Sequence, residues 1–387
     1  MSSTAEPKVY GWCPGALRPM MSGDGLVVRV RAPLGKLSAA QARGVARLSE
    51  EFGNGLLDIS ARANLQMRGI REDAHEDLID GLRGLGLIDP DAGAEARRNV
   101  LLTPFWQEGD DTHAIATALS AALTAATDLA LPGKFGFAVD CSSEPVLQDT
   151  AADIRIERSG SALILRADGA DTGKPVTSES AVSEALALAR WFLEQGGAPD
   201  GRGRMHRFIA RRGPPLAHTE PAAKAGFTAK PGPVPAGALA ALEFGQMPAA
   251  TLAQLAEHGE IRLTPWRALL VEGTENLPSL PGLILDEADP RLQVVACTGA
   301  PGCLQALSAT RDLARELAPH VPAGARLHIS GCAKGCACPG TTPLTLTATG
   351  KNEFSLIRNG TAADEPLKTR LSAGALRAAP ELLKEGN

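Results

Sequence analysis

Five of the seven cysteines in this 387-residue chain fall between positions 297 and 338. Cys297 and Cys303 have five residues between them, Cys332 and Cys336 have three, and a stretch long enough for a helix and a strand separates the two pairs. Four soft thiolates supplied from two loops suit a [4Fe–4S] cluster. Both loops are built from small residues, Thr298-Gly299-Ala300-Pro301-Gly302 in the first and Ser330-Gly331 with Ala333-Lys334-Gly335 in the second. Backbone N–H groups can therefore approach the sulfurs and tune the cluster potential. Structural zinc is the other metal these cysteines could hold. Its paired ligands usually have about two to four residues between them, so the Cys297 and Cys303 spacing argues against it, and unligated thiols form a third reading. Cys338 is either an alternative ligand or a small residue in a tight loop, the second being favoured. Cys13 and Cys141 are expected to be buried or incidental.

Such loops meet only if the fold repeats, and the chain is self-similar in two places. Leu34-Gly35-Lys36-Leu37-Ser38-Ala39-Ala40-Gln41 reappears as Phe244-Gly245-Gln246-Met247-Pro248-Ala249-Ala250-Thr251. An amphipathic helix follows each, ending near Gly53 and near Gly259. Ser38 with Gln41 makes a capping box, and Pro248 suits the first turn of the second helix. Strands are expected at 26–30 and 57–60, with Ile261 and Leu263 their counterparts. The second similarity aligns 131–140 with 321–330, each after a helix rich in Ala and Leu, and 100–103 with 295–298. Each copy thus reads as a small β-α-β half-unit followed by an α/β module, the four pieces interleaving along the chain. In this alignment Leu102 stands opposite Cys297 and Ser142 opposite Cys332, so one cluster is expected, not two.

Between the copies, residues 151–213 add a strand pair at 154–156 and 163–165, a helix over 181–195, and a basic stretch from Arg202 to Arg212. Residues 214–237, rich in Pro, Ala and Gly, read as a linker, and the tail after 373 as a short helix. Gly169-Ala170-Asp171-Thr172-Gly173-Lys174 is one residue short of a phosphate loop and precedes Pro175, so it reads as a turn. No dinucleotide fingerprint opens a helix after a strand, so electrons must come from a separate protein.

Composition bounds the rest. The chain is 44% apolar and 21% charged, as a soluble globular protein with several cores would be. A net charge of -5 gives no general attraction to nucleic acid or an anionic membrane. No apolar run reaches the length of a membrane span and no signal segment opens the chain, which points to the cytoplasm, where thiols stay reduced.

Cys-Thr-Gly-x-x-x-Cys at 297–303 and His-Ile-Ser-Gly-Cys-x-x-x-Cys-x-x-Pro at 328–339 resemble the cluster signature of the sulfite and nitrite reductase family. Ser60-Ala61-Arg62-Ala63-Asn64-Leu65-Gln66-Met67-Arg68-Gly69-Ile70, Arg98-Asn99-Val100 and Leu131-Pro132-Gly133-Lys134-Phe135 resemble that family's sirohaem- and anion-holding motifs. The implied fold is α/β (α+β), a tandem pseudo-twofold repeat of ferredoxin-like half-domains and α/β cluster- and tetrapyrrole-binding modules. Residues 1–72 and 232–273 would be the paired half-domains, 74–230 the cluster-free, substrate-binding module, and 274–387 the cluster module. One departure narrows the resemblance: the reductases place a second lysine two residues after the first, and here that position is Gly136. The opening Gly11-Trp12-Cys13-Pro14-Gly15-Ala16-Leu17-Arg18-Pro19-Met20 with Ser22-Gly23-Asp24-Gly25-Leu26, and Thr264-Pro265-Trp266-Arg267, are similar instead to the precorrin-3B synthase branch.

That branch implies an O2-dependent mono-oxygenase that hydroxylates precorrin-3A and closes a lactone in aerobic cobalamin biosynthesis. The implied cofactors are a [4Fe–4S] cluster and a mononuclear non-haem iron, without sirohaem, and the implied electron donor is an external NADH-linked reductase or a ferredoxin. A sirohaem-dependent sulfite or nitrite reductase and an iron–sulfur electron carrier or zinc-stabilised binding protein stand as alternatives. A precorrin carries many carboxylates, which arginine forks pair bidentately, so Arg62, Arg68, Arg98, Lys134 and Arg267 are the candidate substrate-binding residues, with Arg204 and Arg207 weaker. The seven histidines (75, 113, 206, 218, 258, 320 and 328) show no ligand spacing, and the non-haem iron's ligands are left unassigned.

Overall fold

A computed structural model describes residues 14–215, 219–224 and 226–384; Cys13, His218 and the opening Gly11 to Cys13 segment lie outside them. The strand Gly25–Val30 forms an antiparallel sheet with Met20–Ser22, Leu65–Ile70 and Leu56–Ile59. The helix Ala39–Phe52 covers it, started by the Ser38 and Gln41 capping box and ended at Gly53. The second copy repeats the arrangement with Gly237–Leu242, Ala268–Glu272 and Ile261–Leu263 under the helix Ala249–Leu255. That helix is shorter than its sequence suggests. It stops at Leu255, four residues before Gly259, and Pro248 is its N-cap and not a first-turn residue.

Each half-unit lends a strand to the other. Lys36–Leu37 pairs with Ile261 and Arg262, while Gln246–Pro248 pairs with Leu56, Leu57 and Asp58. The chain enters both exchanges through a left-handed corner, Leu34 (φ 52°) and Phe244 (φ 54°). Both helices and both sheets consequently share one apolar core, in which Val45, Leu48, Leu57, Met67, Leu252, Leu255 and Val271 are buried together.

The two larger sheets have a common topology. In the first, Val100–Leu102, Phe137–Asp140 and Ile154–Ser159 run parallel, followed by antiparallel Ala162–Ala167, Thr172–Val176 and Glu220–Pro221. In the second, Val294–Ala296, Leu327–Ser330 and Thr342–Gly350 are parallel, followed by antiparallel Glu353–Gly360 and Lys368–Ser372. Each has its own core, around Phe135, Phe137, Phe192 and Trp106 in one and Leu313, Leu327, Leu346 and Phe354 in the other. The helix Ala181–Glu194 and the tail helix Ala373–Ala378 form where the sequence places them. Two stretches read as irregular do not stay so. Thr172–Val176 is a strand immediately after the turn at Gly169, and residues 214–237 contribute Glu220–Pro221 and Gly232–Val234 to two different sheets.

The register also shifts one expected equivalence. Thr103 N donates to Val139 O (3.1 Å) as Cys297 N donates to Ile329 O (3.2 Å), and Val139 and Ile329 are equivalent in their sheets. The counterpart of Cys297 is therefore Thr103, not Leu102; Ser142 remains the counterpart of Cys332.

Candidate cluster and substrate site

Cys297 follows Val294–Ala296 directly and Cys332 lies two residues beyond Leu327–Ser330, so both leave the carboxyl ends of adjacent parallel strands. Gly331 N donates to Cys297 Sγ at 3.1 Å. Gly331 and Gly299 are required by space: a Cβ on Gly331 would stand 2.7 Å from the Ala306 Cβ, and one on Gly299, which also has φ 68°, would stand 2.7 Å from the Thr310 hydroxyl oxygen. That hydroxyl is already committed, donating to Cys297 O at 2.7 Å.

The four thiols influence one another. Burial, then the proximity of Cys303 and Cys297, pushes the Cys332 thiol above its ordinary pKa. Cys336 is raised by burial and by Cys332, Cys297 and Cys303, although the residue as a whole is exposed. Lys334, between the two, opposes both shifts. A group of thiols that resist ionising together is one that a multiply charged metal centre would ionise. Among the described residues, however, no three His, Cys, Asp or Glu side chains come close enough to hold a single ion. Tetrahedral zinc at about 2.3 Å from each sulfur would draw its ligands to within about 4 Å of one another. A four-iron cube takes one thiolate at each iron and spreads them wider. Four thiols on two loops, with Gly331 N already donating to Cys297 Sγ, are donors of the kind an iron–sulfur cluster takes. Among the described residues no group of three His, Cys, Asp or Glu side chains marks a place for the mononuclear non-haem iron.

The half-domain clasps the first cysteine loop. Gly302 O accepts from Ser22 Oγ (2.6 Å), Gly23 N (3.3 Å) and Arg68 Nη2 (2.7 Å). A Cβ on Gly23 would run into Pro301 O. Arg68 is 5% exposed, and its other donors reach Asp24 Oδ2 (2.9 Å), Asp24 Oδ1 (2.8 Å) and Asp58 Oδ2 (3.3 Å). This accounts for the Ser22-Gly23-Asp24-Gly25 turn, whose residue types alone gave no hint of what they hold. It also corrects the reading of Arg68, whose fork is spent on two carboxylates and a loop carbonyl.

The remaining cationic candidates do not gather in one place. Arg98 is bound bidentately by Asp89 (2.6 and 2.9 Å) and donates to Arg31 O (2.9 Å). It lines a small cavity with Arg31, Arg62, Arg262 and Trp106, where burial, then Arg29, pushes Arg31 down to about 10. Arg267, held at φ 56°, donates from Nη2 to Ala337 O (2.6 Å) and so braces the loop carrying Cys336 and Cys338. Lys134 lines a different cavity, of 540 Å³, together with Arg202, Arg204, Arg207, Arg211 and Lys334. Among the described residues no acidic side chain lines it, and Met20, Pro132 and Gly133 supply apolar wall. Arg204 is fixed there by Asp153 (2.8 Å), which also accepts from Met205 N and Gly136 N. Lys334 and Arg211 were not candidates from sequence; the position of Lys334 between Cys332 and Cys336 was the available signal.

Gly136 precedes the strand Phe137–Asp140, two residues after Lys134. A Cβ there would stand 2.5 Å from Asn99 Nδ2, which donates to Phe135 O at 3.0 Å. A side chain at this position would have to displace the Asn99 amide.

Residues 18–85 match the nitrite/sulfite reductase ferredoxin-like half domain. A precorrin-3B synthase from Sinorhizobium sp is 30% identical, covering 92% of this chain and 84% of its own. The ferredoxin–nitrite reductase of Synechococcus elongatus is 24% identical over 83% of this chain and 76% of its own, and the chloroplastic enzyme of Zea mays 25% over 80% and 67%. The solved NirA protein of Mycobacterium tuberculosis has the same fold, with a TM-score of 0.62 at 19% identity, covering 94% of this chain and 82% of that one. No helix of the described residues is long and apolar enough to cross a membrane.

Proposed function

Because this chain belongs to the precorrin-3B synthase family, within the nitrite and sulfite reductase superfamily, we propose that it is a mono-oxygenase acting on precorrin-3A. It places one atom of O2 on the macrocycle and closes a ring acetate onto it as a lactone. The second oxygen atom leaves as water, taking two protons and two electrons from an external ferredoxin or NADH-linked reductase. The observation that carries this reading is the occluded Gly136. Multi-electron reduction of sulfite or nitrite calls for a dense set of cationic proton donors around a small oxyanion. Here one of those positions is Gly136, where any side chain would have to displace the Asn99 amide.

The substrate's carboxylates are matched by the cationic cavity. Lys134 from the cluster-free module and Lys334 from the cysteine loop face the same space, and Arg202, Arg207 and Arg211 complete it from the connection around the helix Met205–Arg212. Arginine forks there bind carboxylates bidentately and orient the ring, while Pro132, Gly133 and Met20 offer it an apolar surface. Asp153, by fixing Arg204, holds that side chain ready for a partner without having to order it on binding. Arg62 and Arg98 line a second, smaller cavity, where Arg98 is engaged by Asp89. Cys297, Cys303, Cys332 and Cys336 would hold the [4Fe–4S] cluster, which when bound relays single electrons from the donor.

Protein reconstituted without air and then given precorrin-3A, a reductant and labelled O2 tests the reading. One labelled oxygen in a lactone product is expected, with negligible sulfite or nitrite turnover even when sirohaem is supplied. An unlabelled product, or oxyanion reduction at rates typical of enzymes, would overturn it in favour of the reductase reading.

A further inference from the structure

His328 sits in the strand Leu327–Ser330, four residues before Cys332, and is 0% exposed. Neither ring nitrogen has a hydrogen-bond partner among the described residues. Buried polar groups are nearly always paired, and a neutral imidazole carries one donor and one acceptor to satisfy. Burial, then the charge of Arg267, pushes His328 down to about 4, so the ring is neutral near pH 7. Its strand neighbours Leu327 and Ile329 pack with Leu313 and Leu317, and the alternation of a strand sends His328 to the opposite face. The residue level with it there, Thr345, is committed to Gly360 O and Thr342.

What His328 does face is the cysteine loop. A Cβ on Gly335 would stand 3.8 Å from His328 Cε1, the ring carbon between the two nitrogens. The ring therefore approaches Gly335, in the loop that joins Cys332 to Cys336. Gly335 has φ 60° and no side chain to intervene. Arg267, which reaches this loop from the turn before Ala268–Glu272, is already engaged with Ala337 O. The unmet imidazole thus lies against a loop whose next residue is one of the four thiols.

We propose that His328 donates a hydrogen bond to a sulfur of the cluster at its Cys336 corner and thereby sets the cluster's reduction potential. The proposal rests on the four-thiol cluster reading. Reduction adds one electron to the cluster, and an N–H aimed at its sulfur stabilises the added charge. Removing that donor favours the oxidised cluster. His328→Leu is expected to shift the equilibrium about tenfold toward it, about 59 mV lower for a one-electron couple, while His328→Gln, which keeps an N–H, recovers part of the shift. In wild-type protein labelled with [15N]histidine, pulsed electron paramagnetic resonance of the reduced cluster should show weak coupling to one imidazole nitrogen, a readout that needs no variant to fold. Protein that takes up neither iron nor sulfide on reconstitution overturns both readings. A full cluster with no nitrogen coupling, or with a potential unchanged in His328→Leu, overturns this one alone, as does coupling of the size given by an imidazole bound directly to iron.

Discussion

Gly136→Ala places a single methyl where the Asn99 amide now lies. The new Cβ would stand 2.5 Å from Asn99 Nδ2 and 3.2 Å from Asn99 O. Asn99 is 8% exposed and its carbonyl accepts from Phe137 N at 2.9 Å, so the backbone there cannot retreat without opening the parallel ladder between Val100–Leu102 and Phe137–Asp140. The side chain must move instead. That forfeits the hydrogen bond to Phe135 O, about 1 kcal/mol with its carbonyl left buried, and adds overpacking of about 1–3 kcal/mol. A loss of roughly 2–4 kcal/mol follows, read by denaturant unfolding followed through the fluorescence of Trp106, which belongs to the same core. Because the strain comes from one neighbour, Asn99→Ala should restore much of it, with a coupling of about 1 kcal/mol or more in the double-mutant cycle. A Gly136→Ala protein as stable as wild type, or effects of the two substitutions that simply add, would refute the steric explanation. With it would go the reason for excluding a lysine here.

Single Ser substitutions of Cys297, Cys303, Cys332 or Cys336 should abolish stoichiometric iron and sulfide, while Cys338→Ser should keep them; iron and sulfide analysis decides, and a full cluster in Cys303→Ser or Cys336→Ser would break the ligand set. Arg68→Met removes the cation shared by Asp24 and Asp58, which keep Asn54, Gln246 and Arg311 as donors, and should cost about 1–3 kcal/mol, with reduced cluster occupancy, since Gly302 O loses one of its three donors; thermal unfolding and iron content report the two effects. Burial raises the Glu243 carboxyl, but Arg315 and Arg291 outweigh it and hold the group below its ordinary 4.5, so its stabilisation is complete above that pH and is lost as the pH falls through the lower, folded-state value. Unfolding midpoints of wild type and Glu243→Gln should therefore converge on acidification below about pH 4.5. Lys134→Ala and Arg207→Ala should each weaken binding of a tetrapyrrole polycarboxylate by about 1.5–3 kcal/mol without loss of iron, as titration calorimetry would show; unchanged affinity in both would remove the cationic cavity from consideration.

The repeat was legible in the sequence because its punctuation is local: the capping box at Ser38 and Gln41, the matching corner at Leu34 and Phe244, and the strands that follow are each specified within a few residues. The pairing of Cys297 with Thr103 was missed by one position, since short apolar strands slide against one another in an alignment and only the ladder's hydrogen bonds fix the register. Thr172–Val176 was invisible for a related reason. It has Gly173, Lys174 and Pro175 where an isolated strand would have β-formers, and it is held by tertiary pairing to Ala162–Ala167. Among the candidate side chains, residue type identified cations but not their partners. Arg68 meets Asp24 from 44 positions away, and Arg98 meets Asp89 across a helix. The gathering of Lys134, Arg211 and Lys334 depends on how two modules face each other, which no local pattern encodes.

The asymmetry between the two copies follows from how each closes the same loop. In the first copy the loop after Phe137–Asp140 is shut by the protein itself. Asp140, buried at 1% exposure, accepts from Ser142 Oγ (2.6 Å), Val146 N (2.6 Å) and Leu147 N (3.2 Å), and Cys141 N is taken by the Thr112 hydroxyl. In the second copy the residue equivalent to Asp140 is Ser330, whose short hydroxyl reaches only as far as Cys332 O (2.7 Å). A carboxylate in that position would gather the loop's N–H groups inward and set a negative charge against four thiolates. A serine leaves those groups to face the sulfurs, as Gly331 N already does toward Cys297. The exchange of Asp for Ser, together with Thr103 for Cys297 and Ser142 for Cys332, is thus one coordinated change: the first copy closes its loop with a buried carboxylate, and the second replaces that carboxylate with a serine beside thiols.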